Sequence, residues 1–182
     1  GELRVYGQYF ENMIRQKAHV LPGEMEKLLA SAGELAESPK DIFSMFNNAD
    51  IRFPKITGED GTDVEVTHGR FISLLQSKDQ RVRKDAFEAL YGVYEKFRNT
   101  LAAYRANVKQ EVFFARARRY GSDLEGALDG SHIPVSVYDN LIHVVHEHLP
   151  LMHRYVKIRK KLLGLDELHM YDLYTPMTEN SG

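Results

Sequence analysis

The sequence predicts a mainly α-helical fold of antiparallel helices, one of them very long, with a small two-stranded β-ribbon. Three observations carry this. Apolar residues recur three and four apart over most of the 182 residues, the spacing of helices that bury one side. One stretch, between Ile51 and Thr67, changes to a period of two. Helix-start signals, such as a serine followed three residues later by an acid or amide, or a proline at a first helical position, recur along the chain.

From Leu3 to about Lys17, the residues Leu3, Tyr6, Tyr9, Phe10, Met13 and Ile14 mark an amphipathic helix. Pro22 suits the first position of a second helix, with Met25, Leu28, Leu29 and Ala32 inside and Gly33 weakening its end. Ser38 is placed to cap a third, with Pro39 first in the helix, Asp41 near its free amides, and Ile42, Phe43, Met45 and Phe46 along it. The period changes at Asn47-Asn48. Ile51, Phe53 and Lys55 alternate with Arg52, Pro54 and Ile56, and Val64 and Val66 with Asp63, Glu65 and Thr67. Gly58-Glu59-Asp60-Gly61 supplies the turn between them. Pro54 has no amide to donate and marks an exposed edge. Such a ribbon is marginal alone and needs a partner surface.

Thr67 can cap a short helix in which Phe71, Leu74 and Leu75 face inward. Ser77-Lys78-Asp79-Gln80 reads as a capping box, serine to the Gln80 amide, opening the longest periodic run. That run, through Ala86, Leu90, Val93, Phe97, Leu101, Tyr104, Val108 and Val112, reaches roughly Tyr120 and would span about 60 Å if unbroken. Gly92 and Asn99-Thr100 are expected to bend it rather than break it. Arg116, Arg118 and Arg119 complement its C-terminal dipole or hold an anion, and Gly121 is the expected left-handed cap. Ser122 and Glu125 form a second capping box, starting a short helix that ends at Asp129-Gly130. Pro134 or Ser136 begins a last helix, which Pro150 should kink without ending and Gly164 should stop. Met170 to Tyr174 reads as an extended piece covered on both faces. The expected division is residues 1–66, N-terminal helices and ribbon, and residues 67–182, a long-helix lobe ending in the extended segment.

Five of the eight histidines lie between Ile133 and Pro176, so metal or catalytic chemistry is sought there first. At about 3.6 residues per turn, Val137, Leu141, Val144, Val145, Leu149, Leu151, Met152, Tyr155, Val156, Leu162 and Leu163 share one apolar face. His143, His146, Glu147, His153, Arg154, Lys157 and Lys161 share the other, and only His148 lies in the apolar stripe. A helical zinc protease site needs HExxH, with the general-base glutamate directly after the first histidine. Here the order is His143-Val144-Val145-His146-Glu147-His148, with the first two histidines three apart, and no HExxH occurs. A solvated polar face is the reading. No catalytic, cofactor-binding or metal-ligating residue is assigned in this chain.

Other motifs narrow the classes further. Phosphate loops, dinucleotide fingerprints and nucleophile elbows are absent. Asp60-Gly61-Thr62-Asp63 lacks the ordered ligands of a calcium loop. His68 and Arg70, around Gly69 at a strand-to-helix junction, can meet a bound chain or carboxylate, or serve only the local surface. Tyr171 and Tyr174 can donate to a substrate backbone, whereas Tyr91, Tyr94 and Tyr104 sit at helical core spacing. The roles of His153 and His169 stay open. A net charge of -2 gives no reason to expect nucleic acid or an anionic membrane. The lack of cysteine excludes disulfides and thiol chemistry. Without a long apolar run or a leader, a cytoplasmic setting is expected. A first residue other than methionine suggests a segment of something longer.

Several blocks carry a resemblance. Ala49 to Pro54, Thr67 to Phe71, Leu101 to Lys109, Asn140 to Ile142, Leu149 to Tyr155 and above all Leu163-Gly164-Leu165-Asp166-Glu167-Leu168-His169-Met170-Tyr171-Asp172-Leu173-Tyr174 look like oligoendopeptidase F, a bacterial cytoplasmic zinc metallopeptidase related to thimet oligopeptidase. The likeness runs over almost the whole chain in consistent order. It implies a parent built of two helical lobes around a channel that admits short peptides. It also implies zinc held by an HExxH helix and a later glutamate, all placed beyond Gly182. This chain then corresponds to a non-catalytic segment before the catalytic half, inactive alone, contributing helical lobe and channel wall. The missing C-terminal half is its expected partner, and self-association is expected where neighbours are absent. The alternative is a stand-alone helical scaffold or interaction module without enzymatic activity.

Overall fold

The computed structural model describes residues 2–178. The side chain of Leu3 and the stretch from Glu179 to Gly182 lie outside the described residues. The chain folds into two compact units, Gly1–Met45 with Ala103–His146 and Phe46–Ala102 with Glu147–Gly182. This grouping cuts the chain differently from a single division at residue 66.

The first unit holds α1 (Gly7–Gln16), α2 (Gly23–Ala36), α3 (Ser38–Met45), α7 (Ala106–Ala117), α8 (Asp123–Asp129) and the start of α9 (Val135–Leu162). α7 packs against α2, α3 and α8. Among the described residues its buried apolar side chains are Leu21, Leu29 and Ala115, a small core, and polar ties supplement it. Arg118 forks onto both carboxylate oxygens of Glu26 at 2.9 Å, and Glu26 Oε1 also accepts the Leu21 amide at 2.9 Å. The Arg118 guanidinium holds the Glu26 carboxyl below its usual range, with the Leu21 amide adding to the effect. Arg15 pairs with Asp129, whose Oδ2 accepts the Tyr120 hydroxyl at 2.9 Å.

The second unit holds β1 (Lys55–Thr57), β2 (Asp63–Glu65), α4 (His68–Leu75), α5 (Gln80–Lys96), most of α6 (Arg98–Ala103), the remainder of α9 and a 3-10 turn at Met170–Asp172. The strands pair antiparallel, Lys55 with Glu65, Ile56 with Val64 and Thr57 with Asp63. Gly61, at φ 79°, supplies the left-handed residue that the tight turn between them needs. The ribbon finds its partner surface on α5: Ile56 and Val66 bury against Val82, Ala86 and Leu90, with Phe53, Phe71 and Leu74 around them. Thr67 caps α4 through the Arg70 amide, as its position predicts.

The expected long helix is instead three. α5 stops at Lys96, α6 runs to Ala103, and α7 begins at Ala106. Phe97 and the Tyr104-Arg105 pair interrupt it, while Gly92 stays inside α5. Apolar spacing carries on across these short turns, although only α5 and α7 hold buried residues and α6 holds none. The longest helix is α9, which passes through Pro150 without ending and stops at Gly164 with φ 64°. Three caps also differ. Ser38 is the first residue of α3 and not its cap. Asp79, not Ser77, caps α5 by accepting the Arg81 amide, because Ser77 Oγ is engaged by Glu59 and by the Asp79 amide. Arg119, not Gly121, takes the left-handed conformation after α7. Ser122 caps α8 as predicted, and Glu125 reaches back to the Gly121 amide at 2.7 Å.

Candidate functional site

The histidine-rich face of α9 gathers no centre. His143, His146, His148 and His153 are all exposed, and among the described residues no group of three or more His, Asp or Glu stands close enough to hold a metal ion. The residues present therefore do not fit the zinc that the resemblance implies for the parent.

His68 belongs to a short hydrogen-bonded chain. Asn47 Nδ2 donates to Asn48 Oδ1 at 3.0 Å, which turns Asn47 Oδ1 toward Tyr94, and the Tyr94 hydroxyl donates to it at 2.6 Å. Having one proton, that hydroxyl must accept from His68 Nε2 at 2.7 Å. Burial, with Tyr91 adding to it, pushes the Tyr94 hydroxyl above its ordinary value. The His68 ring meets Phe53 edge-on, centroids 5.0 Å apart. Arg70 is exposed two residues further on.

The organised polar centre lies at the Met170–Asp172 turn, in the segment expected to be extended. Asp172 is fully buried. Its Oδ1 accepts Nε and Nη2 of Arg83 at 2.9 and 2.7 Å, and its Oδ2 accepts the His169 amide at 2.9 Å. That last bond closes the turn and replaces the predicted strand, since a carboxylate three residues on satisfies an amide that a strand would have to pair elsewhere. Arg83 Nη1 also donates to the carbonyls of Ser77 and Lys78 at 2.8 and 3.0 Å. Arg159 of α9 donates through Nε to the Asp172 carbonyl at 3.0 Å and through Nη2 to that of Thr175. His169 stacks on Tyr171 at 4.8 Å, and Tyr171 meets Phe87 edge-on. Both line an open groove of about 710 Å³ with Arg81, Lys84, Asp166 and Glu167. Tyr174 is exposed.

None of Arg83, Arg159 or Asp172 stood out from the sequence, although a signal existed. Arg83 falls in phase with Ala86, Leu90 and Val93, and Arg159 with Met152, Tyr155, Val156 and Leu163. A charge on an apolar stripe asks for a buried partner.

The apolar face of α9 is where the chain most departs from a closed core. Leu141, Leu151 and Leu162 are 61%, 61% and 62% exposed, and Val137, Val145, Leu149, Met152 and Tyr155 are exposed too. The chain presents 13963 Å² of surface. Two separate compact bodies of half its 20.9 kDa would together present only about 10,800 Å².

Two helical units with one small ribbon, few buried apolar residues and a long helix that exposes its leucines are what a segment of a larger helical protein presents, and sequence comparisons give the class. The family description "Oligopeptidase F" matches residues 1–53 and "Peptidase family M3" matches residues 73–181. The chain belongs to peptidase family M3. It is similar to oligopeptidase PepF of Bacillus subtilis, 46% identical over 182 residues, covering 100% of this chain and 27% of that protein. It is likewise similar to group B oligopeptidase PepB of Streptococcus agalactiae, 45% identical over 179 residues, covering 98% of this chain and 30% of that one. The crystal structure of oligoendopeptidase-F from Enterococcus faecium superposes with a TM-score of 0.91 at 50% identity, over 97% of this chain and 34% of that one. The resemblance drawn from the sequence blocks is thus borne out, and the chain spans about 30% of the length of the curated relatives it matches. No helix among the described residues is long and apolar enough to cross a membrane.

Proposed function

We propose that this chain is a non-catalytic segment of a zinc-dependent oligopeptidase, forming part of its helical lobe and channel wall in a cytoplasmic enzyme that cleaves short peptides. The zinc ligands and the water-activating glutamate belong to the remaining, C-terminal half. The observation that carries this reading is the uncovered face of α9. A helix 28 residues long leaves its leucines in water here, and the family's longer members have chain to cover them. Apolar area of this extent is otherwise removed from water in a stable protein.

The test is to mix the chain with the part of the Bacillus subtilis relative that follows its matched region. Sedimentation should show a one-to-one complex, and α9 should gain hydrogen-exchange protection. Oligopeptide hydrolysis should appear in the mixture only. A chain that stays unbound with α9 unprotected would favour a stand-alone scaffold. Chelator-sensitive turnover by the chain alone would refute the non-catalytic assignment.

A further inference from the structure

Arg83, Arg159, Asp172 and Thr175 are the buried polar residues among those described, exposed to 2%, 4%, 0% and 5%, and all four join one network. Its bonds hold fixed points along a single short segment. The His169 amide goes to Asp172 Oδ2, the Asp172 carboxylate to Arg83, and the Asp172 and Thr175 carbonyls to Arg159. The Thr175 hydroxyl donates to the Leu75 carbonyl at 3.4 Å. Gln80 Nε2 adds a bond to Asp172 Oδ2 at 3.4 Å. The segment is thereby tied to the end of α4, the start of α5 and α9 together.

A buried ion pair stabilises a fold little more than well-packed apolar groups of the same volume would. Directed bonds add what apolar contact does not, one register and one course for the backbone they hold. We propose that this network is a positioning latch, which fixes the path of residues 169–175 and so sets the course on which the chain runs on past Thr175. On the reading of this chain as a peptidase segment, on which this step rests, Arg83, Arg159 and Asp172 are positioning residues for the catalytic part that follows. They touch neither peptide nor metal.

The experiment compares Arg159→Met and Asp172→Asn with the unaltered chain by hydrogen exchange. Arg159→Met keeps the Arg83–Asp172 pair and is the variant expected to fold without difficulty. Amides 169–175 should exchange on the order of 10²-fold faster, with those of α5 unchanged. Equal loosening of α5 would reduce the network to general stability and overturn the proposal, as would exchange within twofold of the unaltered chain. A second arm measures oligopeptide hydrolysis after complementation with the remainder of the Bacillus subtilis relative. There the variants should lower kcat with KM unchanged, and Arg159→Lys should rescue little, because a lysine cannot fork onto two carbonyls. Variants as active as the unaltered chain would overturn the positioning role. If the unaltered chain fails to complement, the peptidase reading fails while the exchange result still decides the latch.

Discussion

Replacing Leu141 and Leu151 with glutamine tests the uncovered face of α9 most directly. Glutamine is nearly as good a helix former as leucine, so the substitution changes surface chemistry and leaves helix propensity almost untouched. Each leucine is 61% exposed in this chain. Burying a leucine fully stabilises by about 1.5–3 kcal/mol, so each has about 1–2 kcal/mol still to gain on being covered. For the isolated chain the expected change in stability is within about 0.5 kcal/mol per site. For binding to the remainder of the Bacillus subtilis relative, the double variant should lose about 2–4 kcal/mol, between about 30-fold and 10³-fold in Kd. Thermal melts of the chain and titration calorimetry with the partner read the two quantities separately. A drop in melting temperature like that of a core substitution would mean the face is already buried within the chain. Unchanged affinity would mean that a different surface meets the partner.

Other outcomes follow from the same structure. Alone, the chain should hydrolyse no oligopeptide with or without added zinc, and His146→Ala should leave a fluorogenic-peptide assay at the buffer blank; turnover lost on that substitution would contradict the reading. Val66→Ala, at a site 1% exposed, removes two methyl groups from the ribbon–α5 core and should cost about 2.5 kcal/mol. For a unit of about 90 residues that corresponds to about 10–20 °C in Tm. The Glu26 carboxyl is held low by Arg118, so its contribution is present above the ordinary carboxylate value and fades as pH falls through its depressed one. Acid titration of Glu26→Gln by circular dichroism should show a shallower decline than the unaltered chain. Tyr94 is raised by burial, so its contribution is present below the ordinary tyrosine value and is lost as pH rises through the raised one. Tyr94→Phe should flatten alkaline unfolding, and an alkaline limb identical to that of the unaltered chain would show that ionisation of Tyr94 does not drive it.

Period and punctuation made most of the fold legible. The ribbon, its turn at Gly61, the Thr67 and Ser122 caps and the stop at Gly164 follow from local chemistry alone. What was missed depended on distant partners. Ser77 and Asp79 are both good caps two residues apart, and only the arrival of Glu59 at Ser77 decides between them. The breaks at Phe97 and Tyr104-Arg105 carry no glycine or proline, so the apolar rhythm runs across them unmarked. Met170 to Tyr174 read as extended because alternation was all its five residues offered, while the carboxylate of Asp172 that winds them into a turn is held by an arginine 89 positions away. The family likeness was strongest in those same residues, so the sequence pointed to the right place without disclosing its geometry.

The two features of α9 invert what its amphipathic pattern suggests, and the inversion has a physical reason. Along the stripe that should be its inner side, Leu141, Leu151 and Leu162 are in water while the one charged member in phase, Arg159, is buried. An arginine can be buried only where carbonyls or carboxylates meet its donors, and the 169–175 turn supplies them within this chain. Leucines need only area, and the chain has too little of it: one small core in the first unit and one ribbon-backed core in the second. The specific contact of α9 is therefore complete here and the non-specific one is not. On the proposed reading, a segment built in this way fixes its 169–175 turn by itself and leaves the larger apolar gain to a covering partner.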